Sequence, residues 1–212
     1  MGLILLPLHS SLGQTQPSKQ VRWTPKKTMG SARNTLSGGR RGRQQASCDA
    51  RPQAQSTTLS LLVPSEPNGL YTIAAQPSLF WHVRTSQPVS ARFILSDPSQ
   101  AEPVFAQTLS IVQTGVAQVS LPVALKPNTQ YRWAVIVACP NGSEIHARSF
   151  IQHLDRGVAP QGAPIEQAIA YAHAGIWYDA LNTLMQAKNA NPAAQSVLQS
   201  LLTDANVKLA PN

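Results

Sequence analysis

Acidic side chains are scarce in this sequence, nine among 212 residues, and they do not cluster. Asp97, Glu102, Asp155, Glu166 and Asp179 stand apart, so no pair of carboxylates is set up locally for acid–base work. G-x-S-x-G, H-E-x-x-H, the phosphate-binding P-loop and the dinucleotide fingerprint are all missing. Long apolar runs are missing too. The longest near the start, Leu3–Leu8 (LILLPL), falls far short of the about 20 residues needed to cross a bilayer. With two cysteines, Cys48 and Cys139, the chain has material for one disulfide or for two separate thiols. His82, His146, His153 and His173 lack close ligand spacing and an acidic companion, and read as surface or interface residues. No metal or other cofactor is implied, and the balance leans away from an enzyme.

Charge is unevenly placed. Residues 1–51 hold nine Lys and Arg against Asp49 alone, whereas residues 52–212 hold eight basic and eight acidic residues. The basic character therefore belongs to the N-terminal segment. Residues 1–56 read as a disordered basic tail, because Gln, Ser, Gly, Arg and Pro bury too little surface to offset ordering entropy. LILLPL reads either as the remnant of a signal peptide or as an unstructured terminus. Within SGGRRGR, Arg40, Arg41 and Arg43 could contact phosphates of nucleic acid or anionic lipid. No aromatic is interleaved to stack a base, which disfavours nucleic acid, and a solvated linker is the simpler reading.

Two-residue alternation takes over in residues 57–156. Leu59, Leu61 and Val63 alternate with Thr58 and Ser60; Leu79, Trp81 and Val83 repeat the pattern, as do Ala91, Phe93 and Leu95. Val104–Leu109, Val116–Leu121, Tyr131–Cys139 and Ile145–Gln152 bring the expected strands to seven. The stretch Leu125–Cys139 organises the rest. Pro127 and Asn128 supply a turn, and the strand after it is apolar in both alternating sets except at Arg132, which predicts a central strand buried on both faces. Leu125, Pro127, Thr129 and Tyr131 have the spacing of the corner that opens the sixth strand of fibronectin-like and immunoglobulin-like sandwiches. Trp133 occupies the position of the immunoglobulin cysteine, so that disulfide is excluded. The expectation is a seven-stranded antiparallel β-sandwich, with Pro140-Asn141-Gly142 turning the organising strand into the last one.

Recurrence at three and four residues begins after the Gly157–Gly162 linker. Ala163–Ala174, Ile176–Ala190 and a segment from Pro192 to about Lys208 read as helices. Ala168, Tyr171, Gly175, Trp177, Ala180, Leu184, Ala187 and Pro192 fall at the spacing of a single tetratricopeptide-like repeat, too few units for a solenoid. The segment 163–209 is therefore expected to pack on the sandwich or on a partner. Trp177, Tyr178 and Asp179 are its candidate interaction surface.

Several stretches share a family likeness: Arg41-Gly42 ahead of Cys48, LSLLVP at Leu59–Pro64, PSLFWHV at Pro77–Val83, YRW at Tyr131–Trp133, and GIWYDAL at Gly175–Leu181. Over roughly residues 38–209 the chain resembles the domain-of-unknown-function 928 family, uncharacterised and largely cyanobacterial. The resemblance implies an exported protein whose two cysteines pair. It carries no established activity and hence no catalytic residue. The reading is a periplasmic or extracellular module, without an integral membrane span, that binds a protein or glycan partner; without an export signal it would be cytoplasmic. The alternatives are an enzyme with His153, Asp155 or Asp179 at the sandwich–hairpin junction, and a basic-tail binder of nucleic acid or anionic lipid.

Overall fold

A computed structural model describes residues 21–26, 44–49, 56–65, 70–155, 157 and 159–207. The described chain is mixed, with nine strands in two sheets followed by three helices. β1 (Gln45–Ser47), β2 (Thr58–Leu61), β4 (Ser78–Arg84) and β7 (Gly115–Ser120) form a four-stranded sheet in the order β1-β2-β4-β7. β3 (Tyr71–Thr72), β5 (Val89–Ser96), β6 (Phe105–Ile111), β8 (Gln130–Ala138) and β9 (Glu144–His153) form a five-stranded sheet in the order β3-β9-β8-β5-β6.

All seven expected strands are present. β1 and β3 are additional, and β3 runs parallel to β9, so the five-stranded sheet is not wholly antiparallel. β1 lies inside the span read as a disordered tail. It is held by pairing with β2 (Gln45↔Ser60, Ser47↔Thr58) rather than by an apolar pattern of its own. Val21 and Trp23, also in that span, are buried at 3% and 8% exposure, and the Trp23 ring meets Trp177 edge-on at 5.1 Å. The tail reading therefore fails for Val21–Trp23 and Gln45–Ser47.

The organising strand is central, with β5 on one side and β9 on the other. Its Tyr131, Trp133, Val135 and Val137 are buried, while Arg132 and Ala138 are exposed and Ala134 and Ile136 half-buried. The pattern predicts burial on both faces; one face is buried instead, because among the described elements β8 has substantial backbone contacts only with its in-sheet neighbours β5 and β9 and the other face is left uncovered. Ahead of this strand the Lys126 N–H donates to the Tyr131 hydroxyl oxygen at 3.1 Å. Gly142 turns β8 into β9 at φ +82°.

The buried faces meet through aromatic rings. Trp81 of β4 stacks on Phe93 of β5 at 6.0 Å, and Phe93 stacks on Trp133 of β8 at 6.0 Å. Such pairs contribute about 0.5–1.5 kcal/mol each beyond the area they bury.

α1 (Pro164–His173), α2 (Trp177–Ala187) and α3 (Pro192–Asp204) follow. Pro164 and Pro192 open their helices where a missing N–H costs nothing. The Asn191 side chain caps α3 by accepting from the Ala193 N–H at 2.9 Å. α1 ends at Gly175, with φ +70°; the Ile176 N–H closes back on the Tyr171 carbonyl at 2.9 Å and the Gly175 N–H on Ala172 at 3.2 Å. A Cβ at Gly175 would lie 2.9 Å from the Thr24 carbonyl oxygen, so this glycine also admits the N-terminal segment.

Candidate functional site

Cys48 and Cys139 are disulfide-bonded, their Cα atoms 5.7 Å apart, closing a separation of 91 residues. A cleft of about 270 Å³ opens beside the bridge, lined among others by Asp49, Ser56, Thr57, Ser86 and Asn141. Hydroxyl and amide groups with one carboxylate, Asp49, can hydrogen-bond a ligand, and among the described residues no histidine lines the cleft.

Trp177, Tyr178 and Asp179 do not form an open surface. Trp177 and Tyr178 are 0% and 1% exposed. The Trp177 indole donates to the Leu62 carbonyl at 2.9 Å. The Trp133 indole donates to the Tyr178 hydroxyl at 2.9 Å, and that hydroxyl donates to the Phe150 carbonyl at 2.6 Å. α2 is thus wedged against both sheets, and its aromatic pair is a joint. Burial pushes the Tyr178 hydroxyl well above the ordinary tyrosine range. Half-buried Asp179 accepts the Ile73 N–H at 3.1 Å; burial raises its carboxyl, against hydrogen bonds from the Thr72 side chain and the Ile73 and Ala74 amides.

The residues considered for an enzyme have separate tasks. His153 Nδ1 lies 3.1 Å from the Leu125 carbonyl, Asp179 holds the turn after β3, and Asp155 is exposed. Among the described residues, no group of three or more His, Cys, Asp and Glu converges. Arg40, Arg41, Arg43 and LILLPL lie outside the described residues.

One polar pair escaped the sequence reading. Ser60 of β2 stands directly across from His82 of β4, and Ser60 Oγ and His82 Nδ1 are buried without a hydrogen-bond partner. Burial, then the charge of Arg84, lowers the His82 pKa. Ser60 is 0% exposed, so a substrate cannot reach it, and the pair does not make a nucleophile.

The open face of the five-stranded sheet is different. β5, β8 and β9 align Arg92↔Ile136↔His146, Ile94↔Ala134↔Arg148 and Ser96↔Arg132↔Phe150 in three successive rows. Arg92, Arg132, Arg148 and His146 are exposed, while Ile94, Ala134, Ile136 and Phe150 are half-buried between them. Arg132 and Arg148 are diagonal neighbours, about 7–8 Å apart at the backbone. Glu144, exposed at the far end of β9, brings a carboxylate to this cationic face. The signal in the sequence was Arg132, the exception in an apolar strand; Arg92 and Arg148 join it only once the register is known.

Fold and surface together define a two-sheet β protein closed by three helices and one disulfide, with one broad arginine-bearing face. The chain belongs to the family described as Domain of Unknown Function (DUF928), whose model matches residues 36–210. None of the curated proteins compared with it matches. Among solved structures it is similar to an engineered protein, described as a crystal structure at 1.98 Å resolution, with 12% identity over 46% of this chain and 20% of that chain, at a TM-score of 0.33. The match thus spans about a fifth of that protein's length.

Proposed function

We propose that the chain is a non-catalytic, exported cell-envelope module that binds an acidic glycan through the open face of its five-stranded sheet. The observation that carries this is the placement of Arg92, Arg132 and Arg148 on three neighbouring strands of one exposed face. A guanidinium can hold a carboxylate or sulfate with two parallel hydrogen bonds. Ile94, Ile136 and Phe150 provide apolar seats between the charges for the C–H faces of sugar rings. A broad face suits a polymer, whereas small ligands favour concave sites. The disulfide supports export, because such bonds persist in oxidising compartments.

The same reading takes the two sheets as a fibronectin-like or immunoglobulin-like sandwich over residues 57–156, supported by the Tyr131 corner and the Trp81–Phe93 contact. It takes α1 and α2, within 163–209, as one tetratricopeptide-like unit. Its Ala168, Tyr171, Trp177, Ala180 and Leu184 are buried, so the unit serves packing.

Titration with polygalacturonate at about 0.15 M salt, where the Debye length is about 8 Å, tests the proposal, with neutral dextran as the control. Arg92→Gln with Arg132→Gln should weaken binding by about tenfold or more, the scale of one or two charge-assisted hydrogen bonds. Equal binding of dextran, or an undiminished double variant, rejects it.

A further inference from the structure

The two sheets have four outer strands, and they are protected unequally. β1 has three residues and β3 has two, too short to template another chain. β6, the far edge of the five-stranded sheet, has seven residues, FAQTLSI, and contains no charge, proline or glycine. The neutrality extends well beyond it, since no charged residue occurs from Pro103 through Leu125. Soluble monomers usually blunt such an edge with lysine, proline, a bulge or brevity. Among the described residues, nothing pairs with the outer edge of β6.

The side chains of β6 say what would fit there. Phe105, Gln107, Leu109 and Ile111 lie opposite Leu95, Phe93, Ala91 and Val89, on the core side of the sheet. Phe105 and Leu109 remain half-buried, their flanks uncovered at the edge. On the other side Ala106, Thr108 and Ser110 are small, neutral and exposed. If β6 is set antiparallel to itself about Thr108, Phe105 falls opposite Ile111 of the second copy and Gln107 opposite Leu109. Ala106 then meets Ser110, and Thr108 meets Thr108. Phe105 and Ile111 form apolar pairs on the core side, Gln107 meets Leu109 there, a threonine pair sits at the centre, and no like charges oppose one another. β7, the other long edge, has six residues, includes Gly115 and carries exposed Val116 on the outward side of its sheet.

We infer that two copies of this chain pair edge to edge through β6, antiparallel and two-fold symmetric about Thr108. A closed isologous contact of this kind removes both long edges of the five-stranded sheets at once. The two-fold axis stands perpendicular to the sheet, so both arginine faces look the same way. The pairing does not depend on what that face binds.

Sedimentation equilibrium on the disulfide-intact chain reads the outcome directly. At about 100 µM, well above a micromolar dissociation constant, the wild type should have twice the 22.8 kDa chain mass. Thr108→Lys and Thr108→Glu each place like charges directly across the axis. Each should sediment as a monomer, with near-UV circular dichroism unchanged because Thr108 is exposed. An equimolar mixture of the two variants should restore the doubled mass by pairing opposite charges. A wild type that stays at 22.8 kDa overturns the inference. So do single variants that remain dimeric, or a mixture that remains monomeric.

Discussion

Trp133, in the middle of β8, donates its indole proton to Tyr178, in the first turn of α2, across 45 residues of sequence and at 2.9 Å. The five-stranded sheet and the helices are therefore joined by a buried polar contact as well as by apolar packing. Because the Tyr178 hydroxyl also donates a hydrogen bond to the Phe150 carbonyl, one hydroxyl satisfies two groups that would otherwise be stranded.

Tyr178→Phe should cost about 2 kcal/mol or more, since the Trp133 N–H and the Phe150 carbonyl lose their partner in the interior. The substitution should also change the response to alkali. An unfolded tyrosine ionises near pH 10, and burial holds the folded group higher. Its contribution to stability is complete below about pH 10 and is lost as pH rises from there toward the folded pKa. Urea unfolding at pH 7 and above pH 10 should show this alkaline loss in the wild type and a shallower one in the variant. Equal slopes would contradict it.

Gly142 and Gly175 both have positive φ, +82° and +70°, but their surroundings differ. Alanine at Gly142 meets nothing within 4 Å and should cost only the conformational penalty, about 1–2 kcal/mol. Alanine at Gly175 carries the same penalty and also pushes on the Thr24 carbonyl and the Lys26 amide nitrogen, at 2.9 and 3.0 Å. Gly175→Ala should therefore be the more destabilising of the two, with the excess seen as a quenching change at Trp23, whose segment is displaced from Trp177. Thermal melts followed by tryptophan fluorescence separate the pair.

Breaking the Cys48–Cys139 bridge frees the unfolded chain from a link spanning 91 residues. The chain-entropy model puts this at about 4–5 kcal/mol. Cys48→Ser with Cys139→Ser should shift the urea midpoint by a corresponding amount, and β1, which depends on pairing and on the bridge, should lose amide-exchange protection first. A midpoint unmoved by the double substitution would mean that the unfolded chain is already constrained near these positions.

Much of the β part was legible because inward residues repeat at every second position. Leu79, Trp81 and Val83 are all buried on one side of β4 as that period requires. β3 escaped because Tyr71–Thr72 is too short to show a period, and β1 because its partner supplies its order. Val21-Arg22-Trp23 did carry a two-residue signature, but three residues in a polar stretch weigh little until Trp177 is seen beside them. The aromatic pair at the start of α2 was misjudged for another reason. Neighbouring residues on a helix point about 100° apart, so both are buried only when the helix is enclosed on two sides, which no local pattern reveals. The arginine face needed the β5–β8–β9 register, a long-range property.

The bond from the Trp23 amide to the Asp204 carboxylate spans 181 residues, and the same tryptophan packs on Trp177. Synthesis delivers Trp23 first and Asp204 near the end of the described chain. The Asp204 partner of the Trp23 amide is made only with α3, so that bond cannot form before the last helix is synthesised. Contacts of such separation slow folding and prolong the exposure of apolar groups. A nascent chain halted before α3 would leave the Trp23 amide without its Asp204 carboxylate while the neutral β6 edge is already made.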